Sequence, residues 1–127
     1  MKKALVPIAD GTEEMEAVII IDMLRRAEIE VLTVGLSEIA HCSRDVKILP
    51  DILIDEIDTT EYFDAIVLPG GIGGTEEFAK SKKLRDILVR HKAENKTIGA
   101  ICAAPTVLKK IRFAGIGSEN YFSSVGI

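Results

Sequence analysis

Four short apolar runs recur along the chain, at residues 4–8 (ALVPI), 30–36 (EVLTVGL), 65–68 (AIVL) and 97–101 (TIGAI). Each is too short for a helix, and three end in an abrupt break: Asp10-Gly11-Thr12, Pro69-Gly70-Gly71 and Cys102. Short apolar runs bounded by turn residues read as buried strands. Between them the period changes. Thr12 followed by Glu13, Glu14 and Glu16 predicts a helix start, with a hydroxyl capping free N–H groups and carboxylates at the positive end of the dipole; Arg25 and Arg26 close the helix. A second helix is expected over 81–95, where Leu84, Ile87 and Leu88 form a buried stripe that His91 continues at the edge of the packed face. A short helix is expected over 103–110. Residues 42–57 read as extended pieces, 45–49 and 52–54 about a Pro50-Asp51 turn, hence a small inserted hairpin. In the tail, rich in Gly, Ser and Asn, only 121–125 has strand character.

Alternating strands and helices imply βαβ units, right-handed crossovers and a mostly parallel sheet covered on both faces. Ligands in such sheets bind outside the carboxyl ends of the strands. That edge is where the Asp10 turn, the Pro69 turn and Cys102 converge. Val18 to Ile21 spread apolar side chains around most of a turn of the first helix. A helix apolar on more than one side needs more than one cover, and a partner subunit is the expected second cover.

The chain has 127 residues, 47% of them hydrophobic, enough for one core and one domain. Its net charge of −4 argues against a phosphate-tracking surface, so no nucleic-acid partner is expected. Basic residues between Lys80 and Lys96 read as a solvated helix face. No apolar run is long enough to cross a bilayer, and the Met1-Lys2-Lys3 start lacks the features of a signal peptide, so no membrane partner and a cytoplasmic location are expected. Two cysteines make no disulfide framework, and no metal-ligand cluster is legible. The glycines at 70, 71, 73 and 74 do not form G-x-G-x-x-G, and no phosphate-binding lysine follows, so no nucleotide is implied.

The chemistry concentrates at Cys102. A residue wedged between a buried strand and a helix sits on a tight turn with its side chain outward, as in nucleophile elbows; Gly99, Ala100, Ala103 and Ala104 keep the turn free of bulk, and Pro105 suits a first helical turn. A thiol at a helix N-terminus is expected to have a depressed pKa. Gly70 and Gly71 can expose amides to cradle an oxyanion beside it. Glu16, three residues after Glu13 on the same helical face, can donate a hydrogen bond to the sulfur when protonated, while Glu13 and Glu14 read as serving the dipole.

Five ordered blocks carry a family likeness: Ala9-Asp10-Gly11-Thr12-Glu13-Glu14-Met15-Glu16; Asp22 with Arg25-Arg26-Ala27; Cys42-Ser43-Arg44-Asp45; Leu68-Pro69-Gly70-Gly71; and Ala100-Ile101-Cys102-Ala103-Ala104-Pro105-Thr106. Together they resemble the ThiJ/PfpI superfamily, and within it the parkinsonism-associated protein deglycase branch. The resemblance implies a flavodoxin-like three-layer α/β/α sandwich with a mostly parallel sheet, of the class I glutamine amidotransferase-like type. It implies Cys102 as an oxidisable nucleophile, Glu16 as its hydrogen-bond partner, Gly71 and Ala103 as backbone oxyanion donors with Gly70 beside them, and Arg44 and Glu13 on the pocket or dimer side. It implies a homodimer through the first helix and a cofactor-free stress-response activity on a small reactive carbonyl or a glycated protein, of glyoxalase or deglycase type. A redox sensor or chaperone carrying Cys102 as sulfinate, and an inactive shortened paralogue, are the alternatives. Peptidase activity ranks lowest, because no Cys–His pair is visible at the elbow. Two departures stand out. Ser124 aligns where the family carries a histidine or another residue, and the chain ends where the family continues, so one incomplete domain over 1–127, missing its C-terminal elements, is expected.

Overall fold

A computed structural model describes residues 1–58 and 60–111, with residues 121–124 as strand backbone. Elements follow in the order β1 (Lys3–Ile8), α1 (Glu14–Arg26), β2 (Glu30–Gly35), β3 (Ala40–His41), β4 (Lys47–Ile48), β5 (Ile52–Leu53), a 3₁₀ turn (Ile54–Glu56), β6 (Ala65–Leu68), α2 (Ile72–Lys80), α3 (Lys82–Ala93), β7 (Thr97–Ile101), α4 (Pro105–Ile111) and β8 (Tyr121–Ser124). Six strands form one parallel sheet in the order β5-β2-β1-β6-β7-β8, and β3 pairs antiparallel with β4 apart from it.

The order runs outward in both directions from β1 and β6. A right-handed crossover that moves left puts its helix on one face, and one that moves right puts it on the other. So α1 covers one face against β1 and β2, while α2, α3 and α4 pack together on the opposite face. The result is the expected flavodoxin-like α/β/α sandwich. The chain reverses direction between the carboxyl ends of β1 and β6, and such a switch point opens a crevice there. Leu5, Ile66, Leu68, Ile98 and Ala100 from the strands meet Phe78, Leu84, Leu88, Val107 and Leu108 from α2, α3 and α4 in the main core.

Four details differ from the sequence-based expectations. Helix α2 was not among the predicted elements. Its Gly73-Gly74 pair lowers helix propensity, but it lets α2 lie against the backbone of the β1–α1 turn: a Cβ on Gly11 would stand 2.7 Å from Gly73 Cα, and one on Gly74 2.7 Å from Thr12 Oγ1. The α1 cap is Glu13, whose side chain accepts from Met15 N–H at 2.9 Å, and not Thr12, whose hydroxyl instead accepts from Ala9 N–H at 3.0 Å within the turn. The small hairpin joins Ala40–His41 to Lys47–Ile48, whereas Ile52–Leu53 enters the main sheet as a parallel edge strand on β2. His91 is fully buried: its Nε2 accepts from Phe63 N–H at 3.0 Å and its Nδ1 donates to Ile87 C=O at 2.8 Å. Burial holds this imidazole below its ordinary pKa, with the cations of Arg90 and Lys96 adding to the effect and the Ile87 carbonyl and Glu94 opposing it.

Candidate functional site

The switch-point crevice is built from three turns, the first two of them tied together by a backbone hydrogen bond. The turn after β1 closes on itself through Thr12 N–H to Ala9 C=O at 3.0 Å. It reaches the turn after β6 through Glu13 N–H to Gly70 C=O at 3.0 Å. From the first turn of α1, Glu16 Oε1 accepts Gly70 N–H at 2.8 Å. Glu16 therefore crosses from the helix on one sheet face to the loop that begins a helix on the other. Gly70 and Gly71 cannot be replaced without strain. A Cβ on Gly70 would collide with Glu16 Oε1 and lie 2.7 Å from Cys102 Cβ; Gly71 sits at φ +102° against the Gly11 carbonyl and the Glu13 amide.

Cys102 follows β7 directly. Its turn closes through Ala104 N–H to Ile101 C=O at 2.9 Å, and the cysteine has φ +56°, in the left-handed region that a side chain rarely occupies. Such a conformation costs about 1–3 kcal/mol and persists only when the surroundings impose it. The outcome is an exposed thiol projected from the carboxyl edge of a buried strand, with the Glu16 carboxylate beside it, since Glu16 Oε1 and Cys102 Cβ both crowd the same side of Gly70.

The thiol pKa is shifted in the direction opposite to the one expected from a helix terminus. Partial burial and the Glu16 carboxylate, as acceptor and as charge, push Cys102 above its ordinary value; Ala103 N–H pulls it down, and Glu13 adds a smaller upward push. Helix α4 begins only at Pro105, so burial first and the Glu16 carboxylate second, and not the dipole, dominate at the sulfur.

Cys102, Glu16, Gly70, Gly71 and Ala103 thus gather at one point. Glu13 caps α1 nearby, while Arg44 is exposed on the β3–β4 turn with its guanidinium on the Ser43 carbonyl at 3.2 Å. Strand β8 sets Ser124 beside Ile101 in register; its side chain, Val125 and the rest of the tail lie outside the described residues. Glu14 is the residue that sequence reasoning undervalued. Its buried carboxylate accepts from Ser43 Oγ at 2.9 Å, Arg44 N–H at 2.9 Å and Val46 N–H at 3.2 Å. Burial alone would raise its pKa, but these bonds and its own N–H hold it below the ordinary carboxyl value. Glu14 is therefore the clasp that fixes the β3–β4 turn to α1. The run Cys42-Ser43-Arg44-Asp45 shows a tight turn, with Asp45 at φ +68°, but nothing in sequence spacing joins it to Glu14.

A cavity of about 740 Å³ lined by Met1, Arg25, Glu28, Ile29, Glu30 and Val31 sits where β2 begins, at the amino edge of the sheet, remote from the thiol. The chemistry assigns the site to the carboxyl edge. No helix among the described residues is long and apolar enough to cross a membrane.

A parallel α/β sandwich with a cysteine held in left-handed backbone at a strand-to-helix turn, facing a carboxylate across the switch point, defines the class: an α/β protein with a cysteine elbow. The DJ-1/PfpI family model matches residues 2–116, and the chain belongs to that family. It is 51% identical over 106 residues to protein DJ-1 homolog B of Arabidopsis thaliana, covering 82% of this chain and 24% of that one. It is 34% identical over 109 residues to the glutathione-independent glyoxalase DJR-1.2 of Caenorhabditis elegans, covering 84% and 58%. Among solved structures, Drosophila melanogaster DJ-1beta superposes with a TM-score of 0.85 at 47% identity, covering 89% of this chain and 61% of that one. Oxidized Toxoplasma gondii DJ-1 superposes at 0.86 with 43% identity, covering 89% and 62%. The chain spans less than two thirds of the length of each of these relatives.

Proposed function

We propose that the chain acts on small reactive carbonyls as a cysteine-dependent, glyoxalase- or deglycase-like protein, with Cys102 as nucleophile and Glu16 as its proton partner. The observation that carries this reading is the Glu16 carboxylate set beside the Cys102 thiol at the switch point, both against Gly70, whose N–H Glu16 Oε1 accepts at 2.8 Å. A thiol whose pKa is raised by a carboxylate is not a standing thiolate. It is a nucleophile paired with its own general base. As sulfur adds to the aldehyde carbon of a 2-oxoaldehyde, Glu16 takes the thiol proton and the carbonyl oxygen becomes the hemithioacetal oxygen, with the amides of Gly71 and Ala103 as its donors. A proton shift from C1 to C2 through an enediol oxidises C1 to a thioester and reduces C2 to an alcohol. Water then releases the hydroxy acid and restores the thiol. The redox change is internal to the substrate, so the sequence needs no external oxidant.

The test is formation of lactate from methylglyoxal by the chain, alongside Cys102→Ser. Turnover that disappears in the variant supports the reading. Turnover that survives it, or none in the parent chain, rejects it.

A second reading rests on the same exposed sulfur and on the likeness to a DJ-1 in oxidized form. Here Cys102 is oxidised to the sulfinate and held by Glu16 and Ala103 N–H. A gain of two oxygens confined to Cys102 after mild peroxide supports it; oxidation spread over the methionines instead counts against it. In both readings the chain pairs with a second copy through α1. Met15, Val18, Ile19 and Met23 form a stripe at helical spacing, each more than half exposed on an element whose other face is packed on the sheet. Ile19→Glu is expected to convert a dimer to a monomer in sedimentation.

A further inference from the structure

The walls between α2 and α4 enclose a second feature that starts at the elbow. Ile72, Thr75 and Glu76 fall at i, i+3 and i+4 on one face of α2, and Ala103, Thr106 and Lys110 fall at i, i+3 and i+7 on the facing side of α4 and the turn before it. These six residues line a groove of about 250 Å³. Its near end is the Gly71–Ile72 and Ala103 corner of the crevice, and its far end carries Glu76 on one wall and Lys110 on the other. At about 1.5 Å of rise per residue, the charges stand roughly 6–10 Å along the helices from that corner.

The lining is chemically divided. Thr75 Oγ donates to Ile72 C=O at 2.9 Å and Thr106 Oγ to Ala103 C=O at 2.7 Å, so both hydroxyl protons are used inside their own helical turns. Glu77, next to Glu76, is paired with Lys80 at 3.8 Å, whereas Glu76 and Lys110 take no ion pair among the described residues. A simple 2-oxoaldehyde fills only the crevice and leaves these two charges with water. We propose that the α2–α4 groove is a subsite for the far end of a larger substrate, and that Glu76 and Lys110 select a tail carrying both an ammonium and a carboxylate, as on an amino acid joined through its side chain to the reacting carbon. The inference rests on Cys102 being the reacting group. Opposite charges on opposite walls orient such a tail across the groove, while a tail of single charge meets one attractive and one repulsive wall.

Bromoacetamides of matched length test the groove without requiring turnover. In each, Cys102 sulfur bonds to the methylene carbon as the C–Br bond breaks, and bromide leaves. The probes are Nε-bromoacetyl-lysine, N-butyl bromoacetamide and 6-(bromoacetamido)hexanoate, with modification of the Cys102 peptide followed by mass spectrometry. The zwitterionic probe is expected to react about fivefold faster than the neutral one, the size two exposed ion pairs can give. Lys110→Gln and Glu76→Gln should each remove most of that preference while leaving the neutral rate unchanged, which also shows that the fold is intact. Equal rates for all three probes overturn the subsite. A preference for the hexanoate that grows in Glu76→Gln overturns the zwitterion assignment. A Cys102 inert to every probe removes the function beneath it as well, an outcome distinct from a reactive Cys102 that ignores tail charge.

Discussion

Cys42 and Cys102 are the same side chain in two electrostatic settings. Cys42 lies beneath the β3–β4 turn, 5% exposed, and packs with Ile8 and Ala40. Burial first, then the charges of Glu14, Asp10 and Glu13, push its thiol up to about 11. Cys102 also has an upward shift and also owes part of it to carboxylates. The difference is access and geometry. Cys102 stands out from the sheet edge on a left-handed turn, with the Glu16 carboxylate beside it across Gly70. A raised thiol pKa therefore belongs to a closed group in one place and, in the other, to an exposed group that the proposed function reads as a nucleophile beside its base. What separates them is a path for the reagent and a partner placed to take the proton.

The sharpest way to break this contrast is to exchange the thiols' fates. Cys102→Ala is expected to lower total iodoacetamide labelling at pH 7 by about 100-fold, since a buried thiol of such high pKa is almost wholly protonated. Cys42→Ser should leave the labelling rate within about twofold. Fast residual labelling in Cys102→Ala would mean that the Cys42 turn opens readily. Next in size is Gly71→Ala. Forcing a side chain into φ +102° and against the Gly11 carbonyl should cost about 1–3 kcal/mol in urea unfolding and slow Cys102 labelling, because the same loop carries the Gly70–Glu16 bond.

Glu16→Gln tests the electrostatics at the reactive cysteine. Removing the negative charge should shift the pH–rate profile of Cys102 labelling to lower pH, while carbonyl turnover falls because the base is lost. A profile that does not move would assign the thiol shift to burial alone. Glu14→Gln is the matching change at the quiet cysteine. It should leave Cys102 unaffected and speed amide exchange at Arg44 and Val46, whose N–H groups the carboxylate holds. Smallest for the site, though visible in stability, is His91. Its folded pKa is depressed, so the neutral ring contributes fully above the ordinary value of 6.5, and that contribution is lost as pH falls below it toward the folded value. Urea midpoints should drop between pH 7.5 and 5.5, and His91→Gln should flatten that slope, with Cys102 labelling as the control.

The pattern of apolar runs and breaks was sufficient for the four central strands of the sheet, though not for the edge strand Ile52–Leu53. Residues 65–68 and 97–101 are the observed β6 and β7 to the residue, because a strand buried on both faces has little choice of composition. Cys102 was legible for a similar local reason: a small-residue turn between strand and helix is encoded by neighbours in sequence. Helix α2 was not legible, because Gly73 and Gly74 serve a contact with Gly11 and Thr12 some sixty residues away, and local propensity cannot register such a contact. The direction of the Cys102 pKa shift was misread for the same reason. A helix terminus is visible in sequence, but Glu16 reaches the sulfur only after two crossovers bring opposite sheet faces together at the switch point.

By itself, then, the order of polar and apolar residues determined a parallel α/β sheet with a cysteine at one carboxyl edge, since periodicity and turn chemistry act over a few residues. Which carboxylate meets that cysteine, which glycine must stay bare and which acid clasps the β3–β4 turn were decided only in the tertiary structure. Those are contacts between segments 29 to 86 positions apart, set by how right-handed crossovers stack the layers and not by any local preference of the chain.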